Sequence, residues 1–254
     1  NDTNNYRLVE SSEIIDFKTP LTFPVVFKEN NQPDYPLSDE EIKMLAIILT
    51  DGHLRHDGKS IAIAKSPRRA EGMKILEETL TALQLKYTKN LRHTSFGTDA
   101  LERLYECCIY GVCREDSKKF IDLLNNNRKR IPDFMYKFSR RQAKLFLDTW
   151  AKFDGHIAKA EYNKTRLQCD NLEIADGLQH LAVIAGYGSR YTERIIGVNK
   201  EPTRYVSLYQ RENKGASKNK RIHYGGIVWC PTTFNGVVVY RKEGHTFISG
   251  NSPF

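Results

Sequence analysis

"MLAIILTDG" occupies residues 44–52 and "FLDTWAKFDG" residues 146–155. Each is an apolar run with the spacing of an amphipathic helix, and each closes on an acid and a glycine, Asp51-Gly52 and Asp154-Gly155. One such ending needs no more explanation than a helix stop followed by a turn. Two in one chain direct attention to what surrounds them.

Outward from the first run, Ser38 in "PLSDEEIKMLAIILTDG" is a helix N-cap and Glu41 completes a capping box, with Ile42, Leu45, Ala46 and Leu49 at helical spacing. Strand-like "HLRHD" and "KSIAIAKS" follow on either side of Asp57-Gly58, a hairpin signal. "RRAEGMKILEETLTALQL" is a second helix with Met73, Leu76, Leu80 and Leu83 on one face. Strands around "KYTKNLRHT" and "RLYECCIYG" and a helix "EDSKKFIDLLNN" complete the unit. The order then recurs: helix "SRRQAKLFLDTWAKFDG", strands "HIAKAEY" and "TRLQCD", helix "LEIADGLQHLAVIAGY", strands "RYTERIIG" and "RYVSLYQ". An αββαββ pattern found twice predicts an α+β fold built by internal duplication. Small residues (Ala46, and Thr149 with Ala151) would let the two Asp-Gly helices pack side by side and deliver Asp51 and Asp154 to one place. Paired carboxylates repel unless a proton or cation lies between them, and Mg²⁺ (or Mn²⁺) suits such a site beside a phosphate.

Composition fits a polyanionic partner. The 254 residues carry 39 Lys+Arg against 31 Asp+Glu, a net charge of +8, and neutralising phosphates releases counterions. Five cysteines (Cys107, Cys108, Cys113, Cys169 and Cys230) lack C-x-x-C spacing, which argues against a zinc cluster and for a reducing compartment. No apolar run approaches the roughly 20 residues of a membrane span. A soluble monomer in the cytoplasm of a bacterial or phage-infected cell is expected.

The two helices resemble the paired motifs of LAGLIDADG homing endonucleases: "MLAIILTDG" and "LDTWAKFDG" share the apolar character and the closing acid-glycine. The lead-in "RKRIPDFMYKFSRRQAKLFLDTWAKFDG" and the passage "CDNLEIADGLQHLAVIAGY" resemble the corresponding stretches of intein-borne members. The likeness covers residues 38 to 212, departing at Leu49-Thr50 and Lys152-Phe153, where the family often differs. It implies two saddle-shaped antiparallel sheets in the major groove of double-stranded DNA, and cleavage of both strands with short 3′ overhangs. It also implies a divalent metal held by Asp51 and Asp154 with the adjoining Gly52 and Gly155. Lys129 in "RKRIP" matches the family's basic residue near the scissile phosphate; alternatively it joins Arg128 and Arg130 in a phosphate-holding turn. Lys214, Lys218 and Lys220 are open alternatives for its counterpart. Under the same resemblance, period-two alternation would turn these rows to DNA: His53 and Arg55; Lys86, Thr88, Asn90 and Arg92; Arg166, Gln168 and Asp170; a strand with a solvated face shows the same alternation.

The chain ends resemble something else. "GGIVWCPTTFNGVVVYRKEGHTFISGNSPF" is similar to the C-terminal splicing region of inteins, the all-β Hint fold, and "YRLVESSEIIDFKTPLTFPVVF" to the last strands of its N-terminal half. On that match Asn251 cyclises, Ser252 is the first extein residue and accepts an acyl group, and His245 assists, since Gly250 stands where many inteins have His. Cys230 is either a nucleophile or a structural cysteine. The implied organisation is Hint strands in 1–37, endonuclease units in 38–125 and 126–212, the C-terminal Hint part in 213–251 and extein in 252–254. An N-terminal intein fragment is the expected splicing partner. Competing readings are a splicing element with a scaffold endonuclease domain and a non-cleaving, maturase-like nucleic-acid binder.

Overall fold

The computed structural model describes residues 21–26, 32–96, 103–127, 129–157, 165–195, 202–210, 213–216, 223, 225–226, 233 and 237–250. Among them the chain is mixed α+β, with five α-helices, two antiparallel sheets and a further two-stranded pair. In chain order the elements are β1 (Leu21–Pro24), α1 (Asp39–Asp51), β2 (Gly52–Leu54), β3 (Ile61–Lys65), α2 (Ala70–Ala82), β4 (Tyr87–Phe96), β5 (Arg103–Val112) and α3 (Arg114–Leu123). A 3₁₀ turn at Asp133–Lys137 leads into α4 (Arg140–Asp154), β6 (Gly155–Ile157), β7 (Thr165–Cys169), α5 (Leu172–Ile184), β8 (Gly188–Ile195) and β9 (Pro202–Tyr209). The chain closes with β10 (Asn213–Ala216), β11 (Val237–Lys242) and β12 (His245–Gly250). Helix, two strands, helix, two strands thus occurs twice, from Asp39 and from Arg140.

Both leading helices start in the same way. Ser38 Oγ accepts from Glu41 N–H while Glu41 accepts from Ser38 N–H, and Ser139 and Gln142 repeat the exchange. The Gln142 side chain, fully buried, also donates to the Tyr35 carbonyl at 2.8 Å and accepts from Tyr35 N–H at 2.7 Å. One amide thereby ties the approach to α1 onto the first turn of α4. Beyond this clamp α1 and α4 lie against each other. Ile42, Leu45, Ala46 and Leu49 from α1 and Ala143, Phe146, Leu147 and Trp150 from α4 are buried in the shared core. Ala46, Thr149 and Ala151 are buried too, as helices in close approach require.

The first sheet has strand order β2-β3-β5-β4 and the second β11-β12-β8-β9-β7-β6. Ile61 and Ile63 of β3, Tyr110 of β5, Leu167 of β7 and Val206 of β9 turn one face of each sheet into the core. The pair β1–β10 is separate from both sheets and joins residues near the two ends of the chain. The last hairpin, β11–β12, is bound into the second sheet by pairing of β12 with β8. Residues 237–250 are therefore structurally continuous with the second helix–strand run. No helix among the described residues is long and apolar enough to cross a membrane.

Candidate active site where two helices end

The helix ends explain why glycine follows aspartate twice. Each strand leaves directly from its helix, and the turn is so tight that a Cβ on Gly52 would stand 2.6 Å from the Ile48 carbonyl oxygen. A Cβ on Gly155 would meet the Ala151 carbonyl oxygen, again one helical turn back, at 2.6 Å. Both glycines have ordinary negative φ. Steric room, rather than left-handed backbone, excludes a side chain.

Asp51 and Asp154 are brought to one locus. Burial is the main influence raising the Asp154 carboxyl, to about 6, and the charges of Asp51 and Asp170 add to it. Burial also raises Asp51, against the pull of Lys65 and Arg69. Carboxylates at helix C-termini oppose the negative end of the dipole as well. The arrangement carries an electrostatic demand for cations.

Part of that demand is met by Lys65. It is only 3% exposed, its ammonium is ion-paired to Asp51, and it donates to the Phe153 carbonyl at 3.1 Å. Arg69 Nη1 donates to the same carbonyl at 2.7 Å. Two cations from the first run thus cap the last turn of the helix that opens the second. Gly72 on α2 leaves space for the lysine stem: a Cβ there would stand 2.9 Å from Lys65 Cε.

The corresponding position in the second run follows from register. Gly52 pairs with Ile63 and Gly155 with Leu167, so two residues further along come Lys65 and Cys169. Cys169 is buried, and burial pushes its thiol up to about 12, so it stays neutral. Among the described residues Asp154 has no ion-pair partner. Its side opens on a cleft of about 330 Å³ lined by Thr50, Lys129, Asp154, Cys169, Asp170 and Asn171 with apolar neighbours. Lys129 is exposed, and its backbone N–H donates to Asn127 Oδ1 at 2.8 Å.

The donors facing this locus are hard carboxylate oxygens, which fit Mg²⁺, an ion that keeps several positions for water and phosphate. No group of three or more His, Cys, Asp or Glu side chains suited to a metal occurs among the described residues. Asp51 and Asp154 would hold such an ion together with backbone, solvent or substrate oxygens.

Several expected DNA-facing residues share a face. In the first sheet, cross-strand pairing aligns His53, Ala62, Gly111 and Thr88, then Ala64, Ile109 and Asn90, then Cys107 and Arg92. This row set lies opposite buried Ile61, Ile63 and Tyr110. Arg55 joins it by lying across Gly111, where a Cβ would stand 1.8 Å from its Nη2. In the second sheet Arg166 aligns with Ser207 and Arg190, and Gln168 with Tyr205 and Thr192.

Two residues assigned to those rows are elsewhere. Asp170 follows the end of β7, where the chain turns to start α5 with Asn171 as N-cap, so it lines the carboxylate cleft instead of the sheet face. Lys86 precedes β4 and holds its position through a backbone bond to Asp116 at 2.7 Å. Arg130 is paired with Asp133 at 2.6 Å on the surface. His245 opens β12, its ring centroid 6.2 Å from that of Phe247. Arg128, Lys218, Lys220, Cys230, Asn251 and Ser252 lie outside the described residues.

Lys65 and Arg69 were not among the expected site residues. The available signal was parity: in "IAIAK" the lysine follows Ile61 and Ile63 on the inward face, where a charge demands a partner. Comparison with family models and with curated proteins finds no match.

Proposed function

We propose that the chain is a site-specific double-strand DNA endonuclease of the LAGLIDADG kind, carried within an intein and dependent on Mg²⁺ or Mn²⁺. The observation that carries this reading is the convergence of Asp51 and Asp154 from two helix ends, where Lys65 bonds both the Asp51 carboxylate and the Phe153 carbonyl and the Asp51 charge disfavours ionisation of Asp154. A structural role alone gives no reason for two desolvated like charges at the negative ends of two helices.

In this reading Asp51 and Asp154 hold the divalent ion, with Gly52 and Gly155 supplying backbone oxygens as the resemblance implies. When bound, such an ion lowers the pKa of a water ligand and offsets charge on the phosphate. The chain's own groups do the rest. Lys65 keeps Asp51 oriented through its ion pair. Lys129, which lines the same cleft as Asp154, would donate a hydrogen bond to a phosphate oxygen or to the attacking water. Water oxygen bonds to phosphorus, the P–O3′ bond breaks, and the departing oxygen takes a proton to leave a 3′-hydroxyl and a 5′-phosphate. The sheet rows containing Arg55, Asn90, Arg92, Arg166 and Gln168 present donors and acceptors suited to base edges and phosphates.

The direct test uses plasmid DNA carrying the host gene without the insertion. With Mg²⁺ the folded protein should linearise it at the insertion junction, and Asp51→Asn and Asp154→Asn should not. Absence of a cut at that junction removes the endonuclease reading.

A second activity is favoured by one observation, the pairing of β1 with β10 in a two-stranded sheet of its own that packs against β12. It supports a Hint-like part that splices through Asn251 and Ser252 when complemented by an N-terminal fragment. Mixing the two pieces should yield ligated exteins by mass spectrometry, and Asn251→Ala should abolish them.

A further inference from the structure

The second sheet has two more strands than the first, and the additions come from the C-terminal hairpin. The hairpin is bolted on by its helix-facing side. Thr246, nearly buried, meets buried Ser189 at 3.3 Å, and Gln179 Nε2 donates to the Gly244 carbonyl at 2.9 Å. Tyr191 N–H donates to the same carbonyl at 2.8 Å, and Arg241 bonds Asp176 and Gln179 on α5. Gly244 has φ +78°, and a Cβ there would lie 2.4 Å from the Tyr191 carbonyl oxygen, so this junction requires glycine.

Cross-strand partners share a face, so fixing Thr246 and Ser189 toward the helix fixes their neighbours outward. Following the registers across all six strands gives one continuous row: Lys242, His245, Arg190, Ser207, Arg166 and His156. It contains three permanent cations, two histidines and no carboxylate. Glu193, paired with Arg204, is on the opposite face. Neighbouring strands stand about 4.8 Å apart, so the hairpin widens this face by about 10 Å.

We infer that the C-terminal hairpin is part of the DNA-binding surface, extending the outward row of the second sheet so that Lys242 and His245 meet phosphates beyond the reach of the four inner strands. The inference rests on the endonuclease reading of that sheet and adds its outer boundary. The partner is duplex DNA because a carboxylate-free row of Lys, Arg and His complements a line of phosphates. The first sheet, without an added strand pair of this kind, has Ala62, Ala64, Gly111 and Ile109 along its middle strands. The second sheet therefore supplies more of the salt-dependent affinity.

The test is equilibrium binding of the full chain to a mixed-sequence duplex long enough to span both sheets, without divalent metal, over a series of salt concentrations. Each lost phosphate contact lowers the slope of log K against log salt by about 0.9. Lys242→Ala and Arg166→Ala should each lower it by about that amount, and Lys242→Arg should restore it, which excludes misfolding. A normal slope for Lys242→Ala alongside a reduced one for Arg166→Ala overturns the role of the hairpin and leaves the endonuclease reading standing. Unchanged slopes in both overturn the hairpin role together with DNA binding by this sheet face. A reduced slope for Lys242→Ala with a normal one for Arg166→Ala breaks the continuous row and overturns the inference as well.

Discussion

At the end of α1, Asp51 lies against a buried ammonium; at the end of α4, Asp154 faces an open cleft with Asp170 beside it and a neutral thiol where the ammonium would be. Both ends carry a glycine whose Cβ would strike the carbonyl four residues earlier, although the two glycines differ in φ, −79° at Gly52 and −142° at Gly155. The counter-charge differs too. One half of the locus is therefore neutralised internally, while the other keeps its charge available to something that arrives. Similar folds for the two runs place the carboxylates, and dissimilar side chains behind them decide which one is poised for a cation.

The largest effect expected is on cutting. Asp51→Asn and Asp154→Asn should each reduce double-strand cleavage by on the order of 10³-fold, because either loss removes several kcal/mol of charge stabilisation. Duplex binding should change little. If one variant still cuts both strands at the wild-type rate, the two ends are not partners in one centre.

Stability should separate the same two variants. Asp51→Asn strands the buried Lys65 charge, and breaking such pairs costs about 3 kcal/mol where one partner is still about a quarter open to water. Asp154→Asn removes a desolvated carboxyl with like-charged neighbours, so its melting temperature should equal or exceed that of the parent near neutral pH. The sign of the pH dependence follows. The folded Asp154 carboxyl titrates near 6 against an ordinary 3.8, so between those values the folded chain holds a proton that the unfolded chain has released. In metal-free protein its contribution therefore lowers stability as pH rises through 6 and relieves that loss as pH falls toward 4. Melting curves of parent minus Asp154→Asn across that window should isolate it, since Asp34, Glu77 and Glu193 shift the opposite way and cancel in the difference.

Much of the frame could be read from residue pattern alone. Ser38 and Glu41 mark the start of α1, period 3.6 marks the helices, and Asp57-Gly58 separates β2 from β3, because each is a local signal with a local cause. The convergence of Asp51 and Asp154 was legible because the pattern recurs. Failures came where the cause was distant or the pattern overran its element. Alternation carried one residue past Cys169 put Asp170 on the sheet, whereas the chain had already turned to cap α5. Lys65 stands inside the strand-like "KSIAIAKS" with no partner in view, since Asp51 and Phe153 are brought to it only by tertiary packing. Pairing of His245 with Arg190 depends on a polar lock among Gln179, Ser189 and Thr246 that no short window of sequence contains.

The glycines test where the two runs should behave alike. Gly52→Ala and Gly155→Ala each push a methyl into a carbonyl 2.6 Å away. Helix and strand both anchor that junction, so each should cost about 2 kcal/mol by denaturant melts, within the usual range for overpacking. Unequal losses would mean that one junction relaxes and that the helix ends are not built alike.

The finest test exchanges the counter-charge itself. If Cys169 occupies the position of Lys65, then Cys169→Lys directs its ammonium toward Asp154, while Cys169→Met inserts a similar length without charge. Both overfill a buried site, which costs roughly 1–3 kcal/mol. Only lysine recovers part of that cost through a new pair with a carboxylate that lacks one among the described residues. Cys169→Lys should accordingly be about 1 kcal/mol more stable than Cys169→Met at neutral pH, and the advantage should shrink below pH 6 as Asp154 becomes protonated. A lysine variant no better than methionine at any pH would show that register equivalence does not carry over to side-chain direction. The asymmetry between the two carboxylates would then arise from the surrounding helices rather than from the single exchange of lysine for cysteine.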